Sequence, residues 1–449
     1  MKWASRPTSQ GSTDTDKDGE GRLDRPTNPD RDKALARYDS IWDDYFVSLE
    51  GRGIEFEEFG ASLQEAHELK ERLRKAGAVF RNGEASIVKG GLSPACVACT
   101  GPGGSRTFYL SLACHRNCYF CFNPNQQDYD HYLTHDYPWE EELEDFARQA
   151  GPSACIGLTG GEPLLRPDET VRFFARCQKL LPSAHTRLYT AGDLLDEDLL
   201  RRLAAAELSE IRLSVKLDDP PSAREKVRAN ILLAKQFVPA VMVETPCIPG
   251  TYDEMCEVLL FLEEAGASGI NLLEFCYPFH NWEEFAKRGF KIKNPPFPVL
   301  FEYGYAGSLP VAGSEVLALR LMAFAFEKNL NLDIHYCSLE NKHRSEIRQM
   351  NERRFANDSL FWLDPEDFFL KAAKVYGDDR EPTATVLQRA GCPERIEDEE
   401  ERSLLFPVRY LPELSGSPVQ PVISYNVLVD KEQGQGIREV ELEPFGDDA

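Results

Sequence analysis

Six short apolar runs, separated by stretches of helical periodicity, fall between residues 105 and 280 of this 449-residue chain. They cover 107–112, 155–159, 187–190, 211–217, 240–245 and 270–275. The intervening stretch that opens near Asp196 places Leu199, Leu200 and Leu203 on one helical face. Strands that alternate with helices in this way run parallel, since each helix carries the chain back across the sheet. The expectation is an α/β fold, a partial (β/α)6 barrel, with its working groups on loops at the C-terminal ends of the strands.

The rest of the chain is read around that core. Residues 1–32 are rich in Asp, Gly, Ser, Thr and Pro and are expected to be a disordered tail. Residues 33–104 read as an N-terminal helical cap followed by a Cys-containing loop. In the cap, Leu35, Tyr38, Ile41, Trp42, Tyr45 and Phe46 recur at helical spacing, and Ser62-x-x-Glu65 has the form of a capping box. Residues 105–280 are the core barrel. Residues 281–392 are expected to be a lid and a C-terminal helical extension, with the Pro- and Gly-rich segment 281–312 over the barrel mouth and a helix over 314–328. Residues 393–449 read as an acidic linker and a small β extension, the alternating stretches being 421–429 and 437–442.

Composition narrows the functional class. No apolar stretch approaches the roughly 20 residues that cross a bilayer, and the polar N-terminus has no signal-peptide core. The expected location is therefore cytoplasmic, with no membrane partner. The net charge of −24, from 51 basic and 75 acidic residues, disfavours loose attraction to nucleic acid. Within 342–354, Arg344, Arg348, Arg353 and Arg354 could grip an anionic substrate or a tRNA, but a solvated helix face is the favoured reading. His280 is a further polar candidate near the mouth.

Twelve cysteines are many for a chain far longer than a disulfide-stapled module. Cys155, Cys177, Cys247 and Cys256 stand singly among apolar neighbours and read as core residues. Cys114, Cys118 and Cys121 are different. Their spacing puts three thiolates on one tight loop directly after the first strand, enough to hold three irons of a cubane cluster and leave the fourth open. A zinc ion usually takes four ligands, commonly as close pairs, so this trio suits zinc poorly. Cys96 and Cys99 form a second Cys-x-x-Cys pair in a glycine-rich loop, and Cys337 lies far along the chain in His335-Tyr336-Cys337-Ser338. Two readings stand for these three: a second metal site, iron–sulfur or zinc, completed by His335 or Cys276, or reduced thiols in a lid.

Gly160-Gly161-Glu162-Pro163 follows the second strand, at the same end as the cysteine loop. The two segments together resemble the radical S-adenosylmethionine (SAM) enzymes. Lys89-Gly90-Gly91-Leu92-Ser93-Pro94 before the triad and His335-Tyr336-Cys337-Ser338 after the barrel make the chain most similar to relatives of the pyruvate formate-lyase activating enzyme. The resemblance implies a [4Fe–4S] cluster on the triad, SAM on the open iron, reductive cleavage to a 5′-deoxyadenosyl radical, and hydrogen abstraction from a substrate. That substrate is unidentified, with a protein or peptide among the candidates. It further implies cofactor contacts at Phe120, Gly160, Gly161, Glu162, Pro163, Thr190, Ser214, Lys216, Ile248 and Gly250, and flavodoxin or ferredoxin as electron donor. At the third strand end Ala191 stands where the family usually has Asn. Neither a cobalamin Asp-x-His-x-x-Gly signature nor a dense C-terminal cysteine array is found, which disfavours those branches. The alternative from another class is a non-catalytic iron–sulfur protein that carries electrons or scaffolds a partner.

Overall fold

A computed structural model describes residues 27–101, 104–151, 154–297, 309–352, 358–431 and 434–446. The chain divides into two compact units, one made of 53–296 with 303–346, the other gathering both ends of the chain, up to Arg52 and from Ile347 on. None of the described helices is long and apolar enough to cross a membrane.

The first unit holds an open nine-stranded sheet. Its strands are β1 (Val79–Arg81), β2 (Ser86–Lys89), β3 (Ser105–Tyr109), β4 (Cys155–Thr159), β5 (His185–Thr190), β6 (Glu210–Ser214), β7 (Ala240–Cys247), β8 (Gly269–Glu274) and β9 (Asp333–Cys337). They lie in the order β1-β2-β9-β8-β7-β6-β5-β4-β3. From β3 to β8 every neighbouring pair is parallel, as the strand–helix alternation requires. The (β/α)6 core is therefore present as a partial barrel.

Three strands extend it beyond the sequence reading. β9 adds in parallel to β8, while β2 joins β9 antiparallel and β1 completes a hairpin. With three to five residues each, these strands are too short for alternation to stand out. One signal was present: the hairpin turns through Asn82-Gly83-Glu84, all with positive φ, and Asn-Gly is a common turn pair between strands. So 33–104 is not simply a helical cap, and β9 lies in a stretch expected to be lid and helical extension.

The two faces of the sheet differ in kind. Ile211, Leu213, Val241, Val243, Ile270, Leu272, Ile334 and Tyr336 face the crossover helices and form one large apolar core. The alternate positions, Arg187, Tyr189, Glu210, Arg212, Glu244, Asn271 and His335, line the inner face. The short helix α3 (Pro94–Cys99) packs Ala95 and Ala98 against Cys155 there.

The second unit is an antiparallel sheet with one long helix, α1 (Pro29–Glu50). The strand Leu370–Tyr376 pairs with Ser403–Phe406 on one side and Val422–Lys431 on the other, and Gly434–Pro444 follows outside. Ala34 and Tyr38 of α1 pack with Tyr376, Val422 and Leu442. α1 starts within the stretch expected to be a disordered tail, because Asn28 caps Arg31 and Pro29 occupies the first turn. The boundary expected near 393 also dissolves, since the sheet pairs strands from both sides of it. The capping box at Ser62 is not formed: its hydroxyl donates to Glu57 at 2.8 Å, and Glu65 pairs with Arg320.

Candidate active site

The cysteine loop is fixed mainly by backbone contacts. The Gly161 N–H donates to Ser111 O at 3.2 Å and the Glu162 N–H to Ala113 O at 2.8 Å, so the turn after β4 grips the chain just before Cys114. A Cβ on Gly161 would stand 1.9 Å from Ala113 O, and one on Gly160, whose φ is +124°, would stand 2.5 Å from Ser111 O. The glycines, which the resemblance implies as cofactor contacts, thus make room for the neighbouring loop. Asn123 Nδ2 closes the lock by donating to Gly160 O at 2.7 Å. Inside the loop, Cys121 N–H donates to Cys118 O and Arg116 N–H to Cys114 Sγ.

Cys114 is exposed, while Cys118 and Cys121 are partly so. Burial raises the thiol pKa values of Cys114 and Cys121, the three thiols act electrostatically on one another, and Lys216 beyond β6 pulls Cys114 and Cys121 back down. Among the described residues no three His, Cys, Asp or Glu side chains converge on a single-ion point. Thiols that wrap a polynuclear cluster need no such convergence, because each binds a different iron. Three accessible thiols on one loop beside a cation fit a [4Fe–4S] cluster.

The other expected contacts divide into two groups. Glu162 is buried, and its carboxylate accepts from Thr190 Oγ1 at 2.7 Å, Ala191 N–H at 2.7 Å and Leu164 N–H at 3.1 Å. Burial nonetheless lifts its pKa above the ordinary carboxylate value. Thr190 is buried as well, and its hydroxyl also accepts from Gly192 N–H at 3.0 Å. Both side chains tie the β4 turn to the β5 end, and Pro163 and Ile248 are likewise buried. Ser214 and Lys216 are only partly buried, and a Cβ on Gly250 would meet open space. Phe120 packs edge-on to Tyr119 and to Phe275 at 6.0 Å, just past β8.

Several residues here escaped the sequence reading. Asn281 Nδ2 holds Tyr119 O at 2.6 Å, and the Arg288 guanidinium lies 4.1 Å over the Tyr119 ring. His115 and Asp193 pair at 2.9 Å, and Arg116 reaches Asp219 at 2.7 Å, so charges ring the loop. Nothing local in the sequence links these positions. His280 is exposed and meets Asn125 at 3.0 Å. The lid expected over 281–312 falls in part outside the described residues, which stop at 297 and resume at 309. The basic run departs from both of its readings: His343, Arg344 and Arg348 are buried, and Arg344 is spent on Asn82 O and Glu340. Arg353 and Arg354 lie outside the described residues.

The inner face carries a buried ion network. Arg212 is 3% exposed and meets Glu210, Glu244 at 3.5 Å, Ser93 Oγ at 3.1 Å and Cys96 Sγ at 3.3 Å. Burial by itself raises the Cys96 pKa, but Arg212 and His335 outweigh it and bring it down to about 6. Burial pushes Cys337 up to about 12. A cavity of about 720 Å³, reached by Ser93, His185, Glu210, Asp333 and His335, opens at the N-terminal ends of the strands, away from the cysteine loop. Cys276 lies in the short strand Cys276–Tyr277, paired with Leu309–Pro310.

Residues 108–262 match the family model of the radical SAM superfamily, and the chain is an enzyme. That family uses a [4Fe–4S] cluster and SAM, which agrees with three accessible thiols on one loop. A Methanocaldococcus jannaschii protein assigned by name as a glycyl-radical enzyme activating enzyme is 27% identical over 274 residues, 59% of this chain and 68% of that protein. Among solved structures, Streptococcus suis SuiB bound to precursor peptide SuiA aligns at 16% identity over 61% of this chain and 53% of its own, with a TM-score of 0.38. The anSMEcpe structure with bound AdoMet and Cp18Cys peptide aligns at 17% identity over 51% of this chain and 62% of its own, with a TM-score of 0.35. The chain spans less than two thirds of either solved chain.

Proposed function

We propose that this enzyme cleaves SAM reductively and removes a hydrogen atom from a protein or peptide substrate, in the manner of an activase. The observation that carries the reading is the accessible trio Cys114, Cys118 and Cys121 on a loop whose backbone is clamped by Gly161 and Glu162. The bound cluster supplies the single electron that breaks the C5′–S bond of SAM. The protein's part is position and charge. The trio would hold three irons, and Lys216 offsets the negative charge of the thiolates. Ser214 and Lys216, half-buried at the end of β6, and the open backbone at Gly250 are suited to the polar parts of SAM. Phe120 and Phe275 supply an apolar wall that limits water near a radical.

A protein or peptide as substrate is favoured by the name of the Methanocaldococcus jannaschii relative. Flavodoxin or ferredoxin is the electron donor expected of such an enzyme, working in the cytoplasm. The test is anaerobic incubation with SAM and dithionite, read by chromatography for 5′-deoxyadenosine. Wild-type protein should form it, and the Cys114→Ala/Cys118→Ala/Cys121→Ala variant should form none. Iron-loaded wild type that forms none would instead favour the electron-carrier alternative.

A further inference from the structure

We infer that Cys96, Cys99 and Cys337 form a second iron–sulfur site on the inner face of the sheet, separate from the Cys114 trio. Three observations converge on it. The thiols come from two elements, Cys96 and Cys99 one helical turn apart on α3 and Cys337 two residues past His335 on the same face of β9, and Asn271 joins them by meeting Cys96 Sγ at 3.7 Å and His335 at 3.2 Å. All three are partly accessible, in contrast to Cys155, Cys177, Cys247 and Cys256, which are buried.

Each sulfur also has a donor or hydroxyl of its own. Arg212 Nη2 donates to Cys96 Sγ at 3.3 Å, Ser345 Oγ stands 3.0 Å from Cys99 Sγ, and Asn341 Nδ2 donates to Cys337 Sγ at 3.4 Å. Apolar packing would account for none of these. Hydrogen bonds to the ligating sulfurs are the usual means by which a protein stabilises and tunes such a cluster.

A cation lies directly at the site, since the Arg212 guanidinium stands 3.3 Å from Cys96 Sγ. Three thiols with hydrogen-bond donors on their sulfurs suit an iron–sulfur cluster, whose irons are held by thiolates. His335, 3.2 Å from Asn271 and 2.9 Å from Ser86, lies beside Cys96 as an additional candidate ligand.

The experiment uses the full chain, purified anaerobically after reconstitution with iron and sulfide. The Cys114→Ala/Cys118→Ala/Cys121→Ala variant should retain about half of the wild-type iron and sulfide. Adding Cys96→Ala/Cys99→Ala/Cys337→Ala should remove the remainder. The inner-trio variant alone should keep the other half and still form 5′-deoxyadenosine, so failure here is distinct from failure of the proposed activity. A triad variant that folds, by circular dichroism, yet holds no iron overturns the inference. So does zinc without sulfide, or an intramolecular Cys96–Cys99 disulfide in the reconstituted protein. Where the variants fail to fold, iodoacetamide mapping of wild type decides: the three inner cysteines should label only after oxidative chelator stripping. Equal labelling before and after stripping overturns the site.

Discussion

Two sets of three thiols in one unit are held in opposite ways. Cys114, Cys118 and Cys121 sit on an open loop, positioned by backbone hydrogen bonds from Gly161 and Glu162. Cys96, Cys99 and Cys337 sit on regular elements, and side chains, Arg212, Ser345 and Asn341, hold their sulfurs. The contrast teaches where each set is vulnerable. The loop set depends on close approach of two backbones and leaves its sulfurs free for chemistry. The inner set depends on buried charge, and its integrity is tied to that of the fold.

The largest expected effect breaks the first side of that contrast. Gly161→Ala would drive a Cβ to 1.9 Å from the Ala113 carbonyl, a distance that only movement of the loop can relieve. We expect at least a tenfold loss of 5′-deoxyadenosine formation and loss of the loop cluster, read by iron analysis, with the inner iron kept.

Arg212→Met attacks the other side. It leaves Glu210, Glu244 and Cys96 facing one another without their shared cation, and breaking a buried pair costs about 3–5 kcal/mol. Denaturant unfolding should show that loss, while the folded fraction keeps its SAM cleavage. If SAM cleavage falls and stability does not, the division between the two regions is wrong.

Glu346 offers a smaller effect that sharpens the picture of the inner face. It acts on Tyr109 of β3, and burial lifts its carboxyl to about 7, although Lys342 pulls the other way. A folded-state pKa above the unfolded one means the folded chain holds a proton that the unfolded chain releases. Stability therefore falls as pH rises between about 4.5 and 7. Glu346→Gln should remove that slope, matching wild type at pH 4 and exceeding it at pH 8 by at most about 3 kcal/mol. Thermal midpoints at the two pH values measure it, and a variant no more stable at pH 8 contradicts the burial assigned to Glu346.

The same contrast explains what could be read from sequence. The loop trio could be proposed from sequence because its thiols are local: three cysteines within eight residues, after an apolar run. The six parallel strands were legible for a similar reason, with β4 found at its observed bounds and the others within a few residues. The inner network was not. Glu210 and Arg212 alternate with Ile211 and Leu213, which marks a strand with one polar face, but nothing in the sequence says that this face is buried or that Cys96 completes it. The hydrogen bonds by which Glu162 and Thr190 hold the turn were hidden for a related reason. A motif gives the residues at a site without saying which of them face the ligand and which hold the turn. The pairing of Leu370–Tyr376 with strands on both sides of the expected boundary is likewise non-local, and that strand lacks a clear alternation.

The central claim is an iron at the cysteine loop that stays open to SAM. Electron paramagnetic resonance of the dithionite-reduced protein, recorded before and after SAM is added, tests it most directly, in the Cys96→Ala/Cys99→Ala/Cys337→Ala variant so that one cluster is observed. The account predicts a reduced-cluster signal whose g values shift when SAM binds. A signal that SAM leaves unchanged would contradict it.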